Sequence, residues 1–210
     1  MEITEIYKSL QGESYHSGLP CVFVRTAGCN LRCSYCDTKY AYKSGRVFSV
    51  PGILSEIKKY KIKLVEITGG EPLLQDDINQ LADKLLKAGY SVLVETNGSL
   101  DISKLSPKAV KIMDIKCPGS GMEIKNRWKN IKFLTKNDEI KFVISGRFDY
   151  NWAKQKIKDF SLDKITKISF SPAWKLLSPG ILAGWILKDE LDVRFQIQLH
   201  KILWPGKRRT

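Results

Sequence analysis

The 210 residues hold no uninterrupted apolar run near the roughly 18 that a membrane-spanning helix needs, so no bilayer span is expected. The opening, Met1-Glu2-Ile3-Thr4-Glu5, lacks the basic-then-apolar order of a secretory signal, and a cytoplasmic protein is expected. Internal repeats, low-complexity tracts and a linker are also missing, which predicts a single domain over residues 1–210. Acidic residues are outnumbered, 22 against 35 Lys and Arg, for a formal charge of +13. Such an excess invites a nucleic-acid reading. The lysines are dispersed, however, as in Lys58-Lys59, Lys154, Lys156 and Lys158, and the one compact run is Lys207-Arg208-Arg209. A solubilising, anion-attracting surface without nucleic acid is the expectation.

Cysteine is scarce and odd in number: five, of which Cys29, Cys33 and Cys36 lie together. A chain without an export signal is not expected to use a disulfide framework, which favours metal binding or catalysis. A fourth clustered cysteine is lacking. Zinc in a structural site takes four ligands, and iron–sulfur clusters are ordinarily held by four cysteines. Three thiolates on a cube of four irons would leave one iron open to a substrate or cofactor. Cys21 and Cys117 stand apart, and Cys21 opens an apolar strand as a buried small hydrophobe would.

What is present is an alternation of strands and helices. The stretch 3–13 reads as a short strand running into a polar loop, and 21–26 as a buried strand before the cysteines. Ser49 as cap and Pro51 in the first turn predict a helix with Ile53, Leu54, Ile57 and Tyr60 at helical spacing. Strands are expected at 64–68, 91–96, 110–115, 140–145, 165–171 and 193–199. Further helices are expected at 76–88, at 150–160 with Asp149 as cap, and at 179–190, with one short helix between 122 and 137. The pattern predicts an α/β fold, an open, partial TIM-like barrel of about six parallel strands with outer helices. A closed eight-strand barrel ordinarily takes about 250 residues. The cysteine loop and the segments 69–72, 95–98, 114–116 and 171–174 each follow a strand's C-terminal end, the edge of a parallel sheet where ligands bind.

Cys29-x3-Cys33-x2-Cys36, with Tyr35 before the third cysteine and Thr68-Gly69-Gly70-Glu71-Pro72 after the next strand, resembles the radical S-adenosylmethionine superfamily. Within it the chain is similar to the 7-carboxy-7-deazaguanine synthase family. The similarity is carried by residues 9–13 (Ser-Leu-Gln-Gly-Glu), 23–29 (Phe-Val-Arg-Thr-Ala-Gly-Cys), 36–38, 95–98, 114–121, 141–144 and 198–201.

The resemblance implies that Cys29, Cys33 and Cys36 hold a [4Fe-4S] cluster whose open iron binds S-adenosylmethionine, giving a 5′-deoxyadenosyl radical. Gly69 and Gly70 would let the backbone approach the cofactor's methionine end, with no Cβ in the way. Tyr35, Cys36, Asp37, Asp114, Ile115, Lys116, Ser171, Pro172, Ala173 and Trp174 would line the adenosine. The implied substrate is 6-carboxy-5,6,7,8-tetrahydropterin. Arg25 would hold its carboxylate with a planar fork of donors, and Leu10, Gln11, Gly12, Thr68, His200 and Pro205 would make further contacts. Thr38, with Asp37 beside it, would bind Mg²⁺. Glu13 and Glu95 would handle protons as ring nitrogen leaves as ammonia. An electron donor of flavodoxin or ferredoxin type and a homodimer follow from the same resemblance. Two rivals are a radical-generating activase acting on a partner protein's glycine and a zinc-stabilised nucleic-acid module using Cys21 as fourth ligand.

Overall fold

The structure, a computed structural model, describes residues 1–43 and 45–207, so Arg208 and Arg209 of the basic run lie outside the described residues. Nine strands form one open sheet: β1 (Glu2–Leu10), β2 (Pro20–Thr26), β3 (Arg46–Val47), β4 (Leu64–Gly69), β5 (Ser91–Thr96), β6 (Val110–Ile115), β7 (Glu139–Ile144), β8 (Lys167–Pro172) and β9 (Arg194–Phe195). Their spatial order is β3-β1-β2-β4-β5-β6-β7-β8-β9. From β2 onward every pairing is parallel, which gives the six expected long strands. The first strand departs from that scheme. It runs antiparallel to β2 and to β3, because the nine-residue link between Leu10 and Pro20 turns back on itself instead of crossing the sheet.

Outside the sheet lie α1 (Val50–Lys58), α2 (Ile78–Lys87), α3 (Arg147–Phe160), α4 (Leu162–Ile165), α5 (Pro179–Lys188) and α6 (Leu199–Leu203). Ser49 caps α1 as expected, its hydroxyl accepting from the Gly52 N–H. Asp149 does not cap α3. It sits inside the first turn, and its carboxylate accepts from the N–H groups of Gly119 (2.8 Å) and Ser145 (3.0 Å), tying two loops together. Between 122 and 137 stand two 3-10 turns, Glu123–Lys125 and Trp128–Phe133, rather than one short helix. The last strand is cut to two residues, and His200 falls in α6 instead of ending a strand.

The period-two alternation of each strand sorts its side chains between two environments. One set, including Val22, Val24, Val65, Ile67, Val92, Val94, Met113, Ile115, Ile140 and Phe142, packs under the helices as the main core. The other set faces the concave side. Its lower layer is apolar, with Cys21, Phe23, Leu64, Leu93 and Ile112. One step further along each strand come Arg25, Glu66, Glu95, Asp114 and Lys141, charged groups within otherwise apolar strands. The sheet thereby presents a layer of ionisable groups at its C-terminal edge above an apolar plug.

Candidate active site

That layer lines a cavity of about 600 Å³. Every residue singled out from the sequence borders it except Ile115, which belongs to the core under the helices because its neighbours Asp114 and Lys116 take the inward positions. The three cysteines are free thiols on the loop that leaves β2. Burial raises the Cys29 and Cys33 thiols above the ordinary range, against the Leu31 N–H beside Cys29 and the Lys116 ammonium near Cys33.

The double glycine borders the cavity and also packs closely against the end of β2 and the start of the cysteine loop. Gly70 N–H donates to Thr26 O (3.1 Å) and Glu71 N–H to Gly28 O (2.8 Å). A Cβ on Gly70 would stand 1.8 Å from Gly28 O, and one on Gly69 would stand 2.3 Å from Thr26 O. Gly69 also has φ +135°, a region open to glycine. These glycines dock the start of the cysteine loop against the end of β4. Glu71, fully buried, extends the tie to β5 by accepting from Thr96 Oγ1 (2.7 Å) and Asn97 N–H (2.7 Å). Asn97 Nδ2 in turn reaches Asn30 Oδ1 at 3.0 Å and Cys29 Sγ at 3.9 Å.

The cavity floor centres on Lys141, whose side chain is 6% exposed. Its ammonium lies 2.9 Å from Glu13 Oε2 and 3.8 Å from Asp114 Oδ2, and it contacts Glu95 Oε1. Burial would raise Glu95, but Lys141 and the Thr68 hydroxyl (3.0 Å) outweigh it and pull the carboxyl down to about 2. Glu66 goes the other way: burial, then the Glu95 charge, push it well above the usual carboxylate range. Its Oε2 accepts from Gln11 Nε2. Two acids at one level of the barrel are thus set apart, one charged and one favouring its neutral form. Glu66 and Lys141 were not singled out from the sequence as site residues. The signal for both is a charge flanked by apolar residues in a strand, at the level of Glu95 and Asp114.

Arg25 already has partners: its Nε donates to Glu5 Oε1 (2.8 Å) and a terminal nitrogen to Tyr7 Oη (3.2 Å). Tyr40 Oη also donates to Glu5 (3.0 Å). Held this way, the guanidinium borders the cavity in a fixed orientation. On the opposite rim the C-terminal segment closes over the loop after β1. Leu199 N–H donates to Gly12 O (2.9 Å), and the His200 ring fills the place a Gly12 side chain would take, 2.3 Å from its Cβ position. Burial lowers the His200 pKa, favouring a neutral ring. Gln198 Nε2 donates to Glu13 Oε1 (2.8 Å), and Lys201 Nζ to Asp37 Oδ2 (2.6 Å). Asp37 Oδ1 accepts from Thr38 Oγ1 (3.0 Å), which sets the two oxygens side by side at the cavity rim. Trp174 stands on the rim, 46% exposed, under the Lys201 ammonium.

Two observations bear on whether a cluster and its cofactor fit. Three thiols and an unblocked cavity wall offer a soft-ligand set with room for a bound molecule. Asp114 Oδ1 is buried and has no hydrogen-bond partner among the described residues, an acceptor that a ligand hydroxyl would satisfy. The residues fit. Cys21, the fourth ligand of the zinc rival, does not border the cavity that Cys29, Cys33 and Cys36 line. Cys21 is wholly buried in the apolar lower layer.

Comparison with known proteins agrees with this geometry. Residues 23–115 match the radical SAM superfamily. A 7-carboxy-7-deazaguanine synthase of Koribacter versatilis is 45% identical over 97% of this chain and 97% of its own length. One from Clostridium acetobutylicum is 42% identical over 99% and 98%. The crystal structure of QueE from Escherichia coli superposes with a TM-score of 0.78 over 95% of this chain and 94% of that one, at 24% identity, and shares the fold. With such relatives matching almost end to end, this chain belongs to the 7-carboxy-7-deazaguanine synthases of the radical SAM superfamily.

Proposed function

We propose that the chain converts 6-carboxy-5,6,7,8-tetrahydropterin to 7-carboxy-7-deazaguanine with loss of ammonia, a carbon–nitrogen lyase step of queuosine-type deazapurine biosynthesis. The observation that carries the reading is the convergence of three cysteines, Arg25 and the Lys141-centred carboxylates on one cavity. When bound there, a [4Fe-4S] cluster with S-adenosylmethionine supplies the radical that starts the ring contraction. Cys29, Cys33 and Cys36 would hold the cluster. Tyr35, Asp37, Gly70, Asp114, Lys116 and the rim at 171–174 would position the cofactor.

The remaining residues serve the substrate. Arg25, oriented by Glu5 and Tyr7, meets a carboxylate with paired donors. Gln11, Gly12 and His200 form the opposing edge. Glu95, held charged beside Lys141, and Glu13, which shares that cation, are the carboxylates that would handle the proton, while neutral Glu66 lies behind them as an acid. Thr38 and Asp37 offer hard oxygens to Mg²⁺, which would displace the Lys201 ammonium from Asp37. The five reduced cysteines suit a cytoplasmic setting, and residues 1–210 act as one domain that pairs as a homodimer. A mass near the monomer's 23.9 kDa in solution would remove the dimer from this reading.

Anaerobic purification tests the cluster assignment. A brown protein carrying about four irons, with colour lost in Cys33→Ala, is expected. A colourless protein with one zinc would overturn it.

A further inference from the structure

The apolar plug beneath the cavity stops short of one side of the barrel. Phe23, Leu64, Leu93 and Ile112 supply it on β2, β4, β5 and β6. Beside Ile112 in register, β7 carries Glu139, wholly buried where the plug would continue. One layer up, Ser169 on β8 lies next to Lys141 in register, with Arg194 on β9 beyond it. Gln196 N–H still donates to Phe170 O (3.0 Å), so the Gln196 side chain follows Arg194 onto the same face, one layer higher again. The sector formed by β7, β8 and β9 is thus polar from the barrel's base to the cavity floor.

The side chains of this sector are short of partners. Glu139 Oε2, Ser169 Oγ, both amide atoms of Gln196 and Nδ1 of the neighbouring His16 are buried without a hydrogen bond among the described residues. Glu139 Oε1 accepts from Tyr15 N–H (2.8 Å) and lies 3.8 Å from His16 Nδ1. The Tyr15 ring covers the sector from outside, its hydroxyl donating to Ile168 O (3.2 Å), with Arg194 and Lys167 over its face at 4.7 and 5.1 Å. His16, its side chain 27% exposed, is the one of the four that reaches solvent. Buried polar atoms that lack protein partners are ordinarily met by ordered water. The set is also mixed: Gln196 Nε2 donates, Gln196 Oε1 and Glu139 Oε2 accept, and the Ser169 hydroxyl does both. A cation would leave the amide N–H unmet, and an anion would face the Glu139 carboxylate. Water serves every one.

We propose that a chain of ordered waters, running from His16 past Glu139, Ser169 and Gln196 to Glu13, carries protons between solvent and the cavity floor. At its upper end Ser169 adjoins Lys141, whose ammonium lies 2.9 Å from Glu13 Oε2. Gln196 stands two residues before Gln198, which donates to Glu13 Oε1 (2.8 Å). At its lower end Ser14, with φ +63°, turns the backbone so that Glu13 meets Lys141 while Tyr15 and His16 meet Glu139. The inference rests on the function proposed above, in which Glu13 handles a proton, and adds where that proton comes from. Pterin and cofactor fill the cavity above, and a route from below stays open with both bound. In each turnover the exposed side of the His16 ring takes a proton from solvent, and Nδ1 gives one to the adjoining water. A shift along the chain delivers one proton to Glu13, and the departing nitrogen carries it away as ammonium.

The test has two arms. A high-resolution crystal structure of the unchanged protein should show waters bridging Glu139 Oε2, Ser169 Oγ and the Gln196 amide; a dry base overturns the proposal. With reconstituted holoenzyme, His16→Ala and Gln196→Leu should each lower kcat about tenfold or more. KM for the pterin and cleavage of S-adenosylmethionine without pterin should stay as in the unchanged protein, which also reports an intact cluster. Added imidazole should restore turnover in His16→Ala and not in Gln196→Leu, where the break lies inside the chain. A residue that only packs does not respond to imidazole. A His16→Ala kcat within about twofold of the unchanged protein's, or a loss that imidazole does not restore, overturns the relay. A wrong substrate would instead abolish turnover in the unchanged protein and leave the waters in place.

Discussion

Lys141→Gln would remove an ammonium 2.9 Å from Glu13 Oε2, 3.8 Å from Asp114 Oδ2 and in contact with Glu95. At an effective dielectric constant of about 20, each such contact carries on the order of 4 kcal/mol of bare attraction. Most of that is offset by the cost of burying the charges. What the variant exposes is the uncompensated remainder, about 3–5 kcal/mol for a buried pair that loses one partner. For a chain of this size that lowers Tm by about 6–20 °C. The carboxylates respond by taking up a proton. In the unchanged protein the folded-state value of Glu95, about 2, lies below the ordinary carboxyl value. Its contribution to stability is therefore complete above the unfolded value of about 4.3 and is lost as pH falls through about 2. Without Lys141, burial and the neighbouring carboxylates dominate. The acid limb of kcat/KM should then move up by about 1–3 pH units. Lys141→Arg, keeping the charge, should return the limb toward its original position even if substrate fits less well. A Lys141→Gln protein with a lower Tm but an unmoved acid limb would refute the electrostatic role and leave Lys141 as a packing residue.

Two further outcomes follow from contacts around the loop and the rim. Gly70→Ala would press a Cβ to within 1.8 Å of Gly28 O and 3.1 Å of Cys29 Cβ, so reconstituted iron should fall below that of the unchanged protein. Gly184→Ala, with nothing within 4 Å of the new carbon, should load fully. Arg25→Ala removes a charged donor worth about 1.5–3 kcal/mol, and KM for the pterin should rise roughly 10- to 100-fold. Reductive cleavage of S-adenosylmethionine without substrate should persist; an unchanged KM would take Arg25 out of the carboxylate role.

The strands of the sheet were legible because their apolar runs are short, β-branched and punctuated by glycine, proline or asparagine. The convergence of the site was legible for a related reason: in a parallel sheet, loops distant in sequence share one edge. The antiparallel first strand was not, since strand direction is set by the path of the 11–19 loop, where no periodic signal exists. Nor was the brevity of β9, because residues 193–199 carry a strand-like pattern although pairing stops at Phe195 and α6 opens at Leu199, bringing His200 onto Gly12. The charged floor could have been read more fully. Val65-Glu66-Ile67, Val94-Glu95-Thr96, Met113-Asp114-Ile115 and Ile140-Lys141-Phe142 each place an ionisable residue one step out of phase with an apolar face. Four such interruptions at one level of a barrel have to compensate one another, and Lys141 is where they do. The role of Gly69 and Gly70 needed the structure, because close approach to Thr26 and Gly28 depends on how two neighbouring strands end.

The central claim is tested most directly by product formation. Reconstituted protein, reduced anaerobically with dithionite and given S-adenosylmethionine, Mg²⁺ and 6-carboxy-5,6,7,8-tetrahydropterin, should release ammonia and 7-carboxy-7-deazaguanine in equal amounts. The yield should fall when Mg²⁺ is omitted. Intact pterin and no ammonia, from protein whose cluster still cleaves S-adenosylmethionine, would contradict the account.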